Sequence, residues 1–205
     1  MSGPPIAARA PIREMAEHVL ETAEPTFALA GFSMGGYVAQ DIARIAPERI
    51  ERLALLDTSI RVDTPQRAAQ RQALNKAAAR GGTFMGIGQA ILKSYVDASR
   101  LDDRELTTRI VDMTQRLGRE VFLRQNSLER EDGEAALRAL RVPLLIIVGE
   151  NDQITPAEGH RKMAAAIGCT HLVVIPNTGH MTPMEAPGPV NGALRHWLER
   201  PAGRR

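Results

Sequence analysis

Cysteine is almost missing from this 205-residue chain: Cys169 stands alone, so neither an intrachain disulfide nor a thiolate metal cluster can be built, and stability has to come from packing. Aromatic residues make up 3%, too few for the stacking platforms on which single-stranded nucleic acid is held. Charge of one sign is not in excess either. Twenty-six Lys and Arg face 24 Asp and Glu, leaving +2 with no basic stripe, so nucleic acid is not an expected partner. No apolar run reaches membrane-spanning length, and Met1 to Ala10 lack the apolar stretch of a secretory signal, so no membrane partner is expected and the default location is cytoplasmic. The five histidines are too widely scattered for H-E-x-x-H and similar zinc motifs. Gly86 and Gly88 lack the third glycine and the preceding strand of a dinucleotide-binding loop.

What remains is ordinary globular composition, 43% hydrophobic and 24% charged. Four short apolar runs, Thr26 to Ala30, Leu53 to Leu56, Leu144 to Val148 and Leu172 to Ile175, read as buried parallel strands. Helical patterns separate them. Ile12, Met15, Ala16, Val19 and Leu20 share one face before the first run, and Val38, Ile42 and Ile45 share another before Pro47. Alternation of strand and helix predicts an α/β fold with a mostly parallel sheet flanked by helices. From about Ser59 to Arg141 the strands stop. Thr64-Pro65 opens a helix as N-cap and first residue, Leu106, Ile110, Met113 and Leu117 form an apolar face, and Gly81-Gly82 interrupts the pattern. The chain is therefore divided into a core, 1–58 with 142–205, and a helical cap, 59–141, over the strand ends. Arg204-Arg205 reads as a frayed end.

The sharpest signal is Gly31-Phe32-Ser33-Met34-Gly35-Gly36, between a strand and a helix. A serine on such a turn is held exposed above the sheet, and the Met34 N–H at the helix start favours negative charge on a carbonyl oxygen. A serine hydroxyl is a weak nucleophile that needs a base, oriented in turn by an acid. Both partners follow in the order Ser, Asp, His: Asp152 in the loop after the third strand and His180 in the loop after the fourth. Glu150 and Asp57 are rival acids. Asp57 is the more serious, because it ends the second strand on the same sheet edge; its alternative role is to bind loop amides. His18, His160, His171 and His196 read as surface or packing residues. Candidate substrate contacts are Phe32 and Met181 beside the serine and the base, with Met85, Met113 and Arg124 from the cap. For the methionines the plainer reading is core filling, and for Arg124 a solvated helix face.

On these residues the chain resembles the α/β-hydrolase fold family, of the serine-nucleophile esterase, lactonase and C–C hydrolase type, from about Ile12 to Trp197. The resemblance also rests on Pro47-Glu48-Arg49-Ile50, on Gly149-Glu150-Asn151-Asp152 with Thr155-Pro156, and on Gly179-His180-Met181 with Pro183-Met184-Glu185. It implies Ser33 as nucleophile, His180 as base and then acid, Asp152 as the orienting acid, and no metal or organic cofactor. A cap poor in aromatics that offers Met85 and Met113, with Met181 beside the base, suggests a modest apolar pocket for a small ester, thioester or lactone. Glu185 matches a recurrent position explained by helix capping.

One departure has consequences. The family places further strands before the elbow strand, one of them leading to a His-Gly loop that supplies a second oxyanion donor. Only 25 residues precede Thr26, and no His-Gly dipeptide occurs. The elbow strand is then expected at an exposed sheet edge, open to homodimerisation. A missing oxyanion donor costs about 10²–10³ in kcat. Three readings stand: a product longer upstream, a partner that completes the sheet, or a weak or inactive hydrolase-like chain used in binding. A cofactor-free lyase or acyltransferase on the same fold stays open.

Overall fold

In the computed structural model, which describes residues 11–80 and 83–201, each short apolar run becomes a strand and each amphipathic stretch a helix. The order is α1 (Ile12–Thr22), β1 (Phe27–Phe32), α2 (Met34–Ile45), β2 (Ile50–Leu56), α3 (Pro65–Ala79), α4 (Gln89–Tyr95), α5 (Arg104–Leu117) and α6 (Arg119–Ser127). Then come α7 (Glu134–Ala139), β3 (Leu144–Gly149), α8 (Ala157–Ile167), β4 (Leu172–Ile175), α9 (Thr182–Glu185) and α10 (Pro187–Glu199). The readings placed on Gly81-Gly82 and Arg204-Arg205 lie outside the described residues. No described helix is long and apolar enough to cross a membrane.

The four strands form one parallel sheet in the order β1-β2-β3-β4. Phe32 pairs with Leu56, Leu56 with Ile147 and Gly149 with Ile175, so all four strands end along one edge of the sheet. Three strands are longer than expected, β3 by Gly149 alone. β1 runs on through Gly31 and Phe32, and β2 starts at Ile50, because Ile50 and Arg52 pair with Phe27 and Ala28 on either side of a register shift at Glu51, although Glu51 and Arg52 break the apolar run. Along β2 and β3 the side chains alternate. Leu53, Leu55, Leu144 and Ile146 pack with Met15, Ile42, Leu137 and Ile167 on one face. Ala54, Leu56, Leu145 and Ile147 meet Val190 and Trp197 of α10 on the other.

β1 forms one edge of the sheet, with Ala28 and Ala30 exposed. Its entry is tied down by Arg49, whose guanidinium donates to the carbonyls of Leu20, Ala23, Glu24 and Pro25 at 2.6–3.0 Å and lies 5.5 Å from the Phe27 ring centre. The Pro47-Glu48-Arg49-Ile50 sequence thus clamps the end of α1 to the start of β1.

Among the described residues between β2 and β3 no strand occurs. The Thr64 hydroxyl accepts from the Arg67 N–H at 3.2 Å, capping α3 in front of Pro65. Over the strand ends, Ile87, Leu92, Val96, Leu106 and Ile110 make a small apolar core of their own with Met181, and Phe32 packs against it. Leu128, Leu137 and Leu140 instead join the main core, where α7 packs on α2 and α8. Leu128, Leu137 and Leu140, in the last part of the segment read as the cap, thus share the core of the sheet.

Candidate active site

Ser33 follows the last residue of β1 and precedes the first of α2, and its backbone sits at φ 48°, ψ −113°, a strained conformation for a residue with a Cβ. Three contacts hold it there. The Ser33 N–H donates to Leu56 O at 2.9 Å, and the Ser33 carbonyl accepts from Gly36 N at 3.0 Å and from the Thr58 hydroxyl at 2.8 Å. The turn closes only because two neighbours lack side chains. A Cβ on Gly31 would lie 2.6 Å from Gly35 O, and one on Gly36 would run into the Thr58 side chain, with Cβ and Cγ2 at 2.6 Å. Gly35 is different, with nothing within 4 Å of its Cβ position. The backbone N–H groups of Met34 and Gly35, first in α2, have no acceptor among the described residues and carry the positive end of the helix dipole.

The parallel edge brings the other two side chains to this turn. Ser33 Oγ lies 2.8 Å from His180 Nε2, and His180 Nδ1 lies 2.8 Å from Asp152 Oδ2. A proton on Nδ1 shared with the carboxylate leaves Nε2 as acceptor for the serine hydroxyl. His180 is 1% and Asp152 3% exposed. Asp152 Oδ1 accepts from the N–H groups of Ile154 (2.7 Å) and Thr155 (2.9 Å), and Oδ2 also takes the Thr155 hydroxyl (2.7 Å). Burial pushes the Asp152 pKa up, but the hydrogen bond and charge of His180 and the Thr155 donors more than offset it, so the carboxylate stays below its usual range.

The imidazole is braced from several sides. Phe32 lies 5.7 Å from it, ring to ring, and Tyr95 meets it edge-on at 5.4 Å. The backbone on each side of His180 is pinned as well. Glu185, 5% exposed, accepts from Gly179 N (3.1 Å), Met181 N (3.0 Å) and Asp97 N (2.8 Å), while His180 N donates to Tyr95 O at 2.8 Å. Asn151 Nδ2 donates to Asp97 Oδ2 at 2.6 Å, which ties the Asp152 loop to the same cap segment. Glu185 thus does more than cap a helix. Tyr95 and Asp97 carry no local sequence signal, since only tertiary packing brings them to the His180 loop.

Asp57 has another job than the one a rival acid would need. Its Oδ1 accepts from Gly149 N at 3.1 Å and its Oδ2 takes the Thr182 hydroxyl, so it binds loop groups and not His180. Burial, with the Asp152 charge adding to it and the Thr182 hydrogen bond opposing it, pushes its pKa up to about 8. Glu150 accepts from Asn177 N at 3.2 Å at the surface. His160 is 1% exposed; its Nε2 accepts from Thr58 N at 3.0 Å, and burial lowers its pKa, so the neutral ring ties α8 to the loop after β2.

Among the proposed substrate contacts, Phe32 and Met181 lie beside the serine and histidine, but three cap residues do not. Met85 is 62% and Met113 41% exposed, because each sits on the outward side of the cap. Arg124 instead lines a separate cavity of about 650 Å³ with Arg13, Tyr37, Asp41 and Arg44 beside α1 and α2. Neither Ser33 nor His180 lines that cavity.

A family model described as the alpha/beta hydrolase fold matches residues 14–187. The chain belongs to the α/β-hydrolase family. Of this chain's relatives, the dihydrolipoyllysine-residue acetyltransferase component of an acetoin cleaving system from Pseudomonas putida is 29% identical over 180 residues, covering 84% of this chain and 45% of that protein. An (E)-2-((N-methylformamido)methylene)succinate hydrolase from Acinetobacter baylyi is 26% identical over 175 residues, covering 83% and 64% respectively. The chain therefore spans between about half and two thirds of these relatives' length. Among solved structures, a thermophilic esterase from Thermogutta terrifontis, with malate bound, superposes with a TM-score of 0.79 at 32% identity, covering 92% of this chain and 72% of that one.

Proposed function

We propose that this α/β-hydrolase cleaves a small ester, thioester or lactone through an acyl-enzyme on Ser33. The observation that carries the reading is the unbroken relay at 2.8 Å and 2.8 Å from Ser33 Oγ through His180 to Asp152. In it, Ser33 Oγ attacks the acyl carbon while His180 Nε2 takes the hydroxyl proton, and the Met34 N–H binds the oxyanion. The imidazolium, steadied by Asp152, gives that proton to the departing oxygen or sulfur. Water then attacks the acyl-enzyme, with His180 taking its proton and returning one to Ser33 Oγ. Phe32 and Met181 make the acyl side of the site apolar. The thermophilic esterase and the succinate-derivative hydrolase support hydrolysis.

The test is labelling with a fluorophosphonate together with turnover of short p-nitrophenyl esters. One label per chain, absent in Ser33→Ala, and turnover lost in Ser33→Ala and His180→Ala are the expected results. Labelling that persists in Ser33→Ala rejects the reading. The acetyltransferase name of one relative favours a second reading, transfer of the acyl group to an acceptor other than water. Product analysis with water and an alcohol in competition separates the two.

A further inference from the structure

The cavity of about 650 Å³ beside α1 and α2 is bounded on its other side by the end of α6 and the segment that follows it, and neither Ser33 nor His180 lines it. Pro11, Ile12, Tyr37 and Leu128 give it an apolar wall, and Arg130 stacks on the Tyr37 ring at 4.9 Å. Charged side chains of both signs border the rest. Most of that charge is met within the protein: Arg44 contacts Asp41 Oδ1 and lies 3.6 Å from Glu131, and Arg13 reaches Glu17 at 3.1 Å and Asp41 Oδ2 at 3.7 Å. Glu129 is exposed to water. Arg124 is the exception. It is half-buried, its Nε is shut off from water, and its guanidinium makes no hydrogen bond or ion pair among the described residues.

Acceptors along the same wall are left open as well. Gln40, 2% exposed, donates its amide to Gly36 O and Ser59 O at 2.9 Å each, which leaves its Oε1, beside Gly133, with no hydrogen bond. Asp41 Oδ2 is buried and accepts no hydrogen bond either. Of the eight buried side-chain polar atoms without a hydrogen bond among the described residues, three therefore belong to side chains that line this one cavity. Each such orphan costs about 1–3 kcal/mol, so their gathering here points to a place built to take a polar partner.

We propose that this cavity is a second ligand site, separate from the catalytic serine, for a hydroxy acid with an apolar body. The carboxylate pairs with the planar guanidinium of Arg124, whose parallel N–H donors match it. The hydroxyl donates to the open acceptors of Gln40 and Asp41, and the body lies against Ile12, Tyr37 and Leu128. A neutral donor suits that corner better than an ammonium group, because Arg44 and Arg13 already meet the charge of Asp41. The volume falls within the roughly 300–1,000 Å³ of small-molecule sites.

Calorimetric titration of the full chain tests this with phenyllactate, with phenyllactamide, which lacks the carboxylate, and with hydrocinnamate, which lacks the hydroxyl. Phenyllactate binds, the amide binds at least about tenfold more weakly, and hydrocinnamate about 2–10-fold more weakly, as one charge-assisted and one neutral hydrogen bond predict. Arg124→Gln weakens phenyllactate binding at least about tenfold, whereas Lys162→Gln, which removes an exposed cation near Glu158, leaves it unchanged. Protein labelled on Ser33 with a fluorophosphonate binds phenyllactate as tightly as unlabelled protein. No binding of phenyllactate, an amide that binds as tightly as the acid, or an affinity unchanged in Arg124→Gln overturns the proposal. Hydrocinnamate binding equal to that of phenyllactate overturns the hydroxy-acid assignment, and loss of binding in the labelled protein overturns the separation from the catalytic site. If Arg124→Gln fails to fold, the comparison of acid with amide on the unmodified protein still decides.

Discussion

Replacing Asp57 by Asn should stabilise the protein, and by an amount that depends on pH. Asp57 is 0% exposed, pairs with no cation among the described residues, and receives the Gly149 N–H and the hydroxyl and backbone N–H of Thr182. Its pKa stands at about 8 in the fold, against about 3.9 in an unfolded chain. Between those values the folded protein holds a proton that the unfolded chain has released. Stability therefore falls as pH rises through this window, by about 1.4 kcal/mol per pH unit, and levels off above about pH 8. The full window amounts to about 5 kcal/mol, and relaxation around the new charge trims it to about 2–5 kcal/mol. Asn cannot ionise, yet its oxygen can still accept from Gly149 N and its amide can donate to the Thr182 hydroxyl. Urea unfolding from pH 4.5 to pH 9 should show Asp57→Asn near the parent at the acid end and more stable by about 2–5 kcal/mol at pH 8. Two parallel stability curves, or a variant less stable at pH 8, would refute the reasoning. Ester turnover separates the two aspartates: it survives in Asp57→Asn and collapses in Asp152→Asn, which disturbs the tautomer that His180 needs.

Three further outcomes are expected. Gly31→Ala drives a methyl into Gly35 O, 2.6 Å from the Cβ position, where only backbone could give way, and costs about 3 kcal/mol or more, whereas Gly35→Ala meets open space and gains up to about 1 kcal/mol of helix propensity. Thermal melts that shift together for the two variants would contradict this. Glu185→Gln leaves the amides of Gly179, Met181 and Asp97 short of acceptors, which should cost about 1–3 kcal/mol and lower kcat/KM at least tenfold, read by melting and ester turnover. The free edge of β1, with Ala28 and Ala30 exposed, is expected to drive self-association that Ala30→Lys suppresses; a monomer by light scattering before the substitution counts against it.

Much of the architecture was legible because it is written in local periodicity. Unbroken runs such as Leu144 to Val148 had to be buried on both faces, and the elbow glycines, with Ser33 between strand and helix, announced the turn. Asp152 and His180 could be placed on one edge because strands of a parallel sheet all end there. The substrate contacts were less legible. Met113 shares α5 with the core residues Leu106 and Ile110 and Met85 lies in the segment before α4, yet which side turns inward depends on how the cap packs, and both came out exposed. Arg124 was drawn away toward α1 and α2.

Residue order alone was enough for the parallel sheet, the strained serine and the succession of serine, acid and base, because each depends on neighbours within a few residues or on the shared direction of the strands. Chain order and the family resemblance favoured Asp152 over Asp57, but both follow strands on one edge, and only the three-dimensional path of the loops puts one carboxylate on His180 and the other on Gly149 and Thr182. The same holds for Glu185, Tyr95 and Asp97, whose partners lie up to 88 residues away. Long-range hydrogen bonds of this kind have no period and no motif, so they exist only once the cap and the sheet have met.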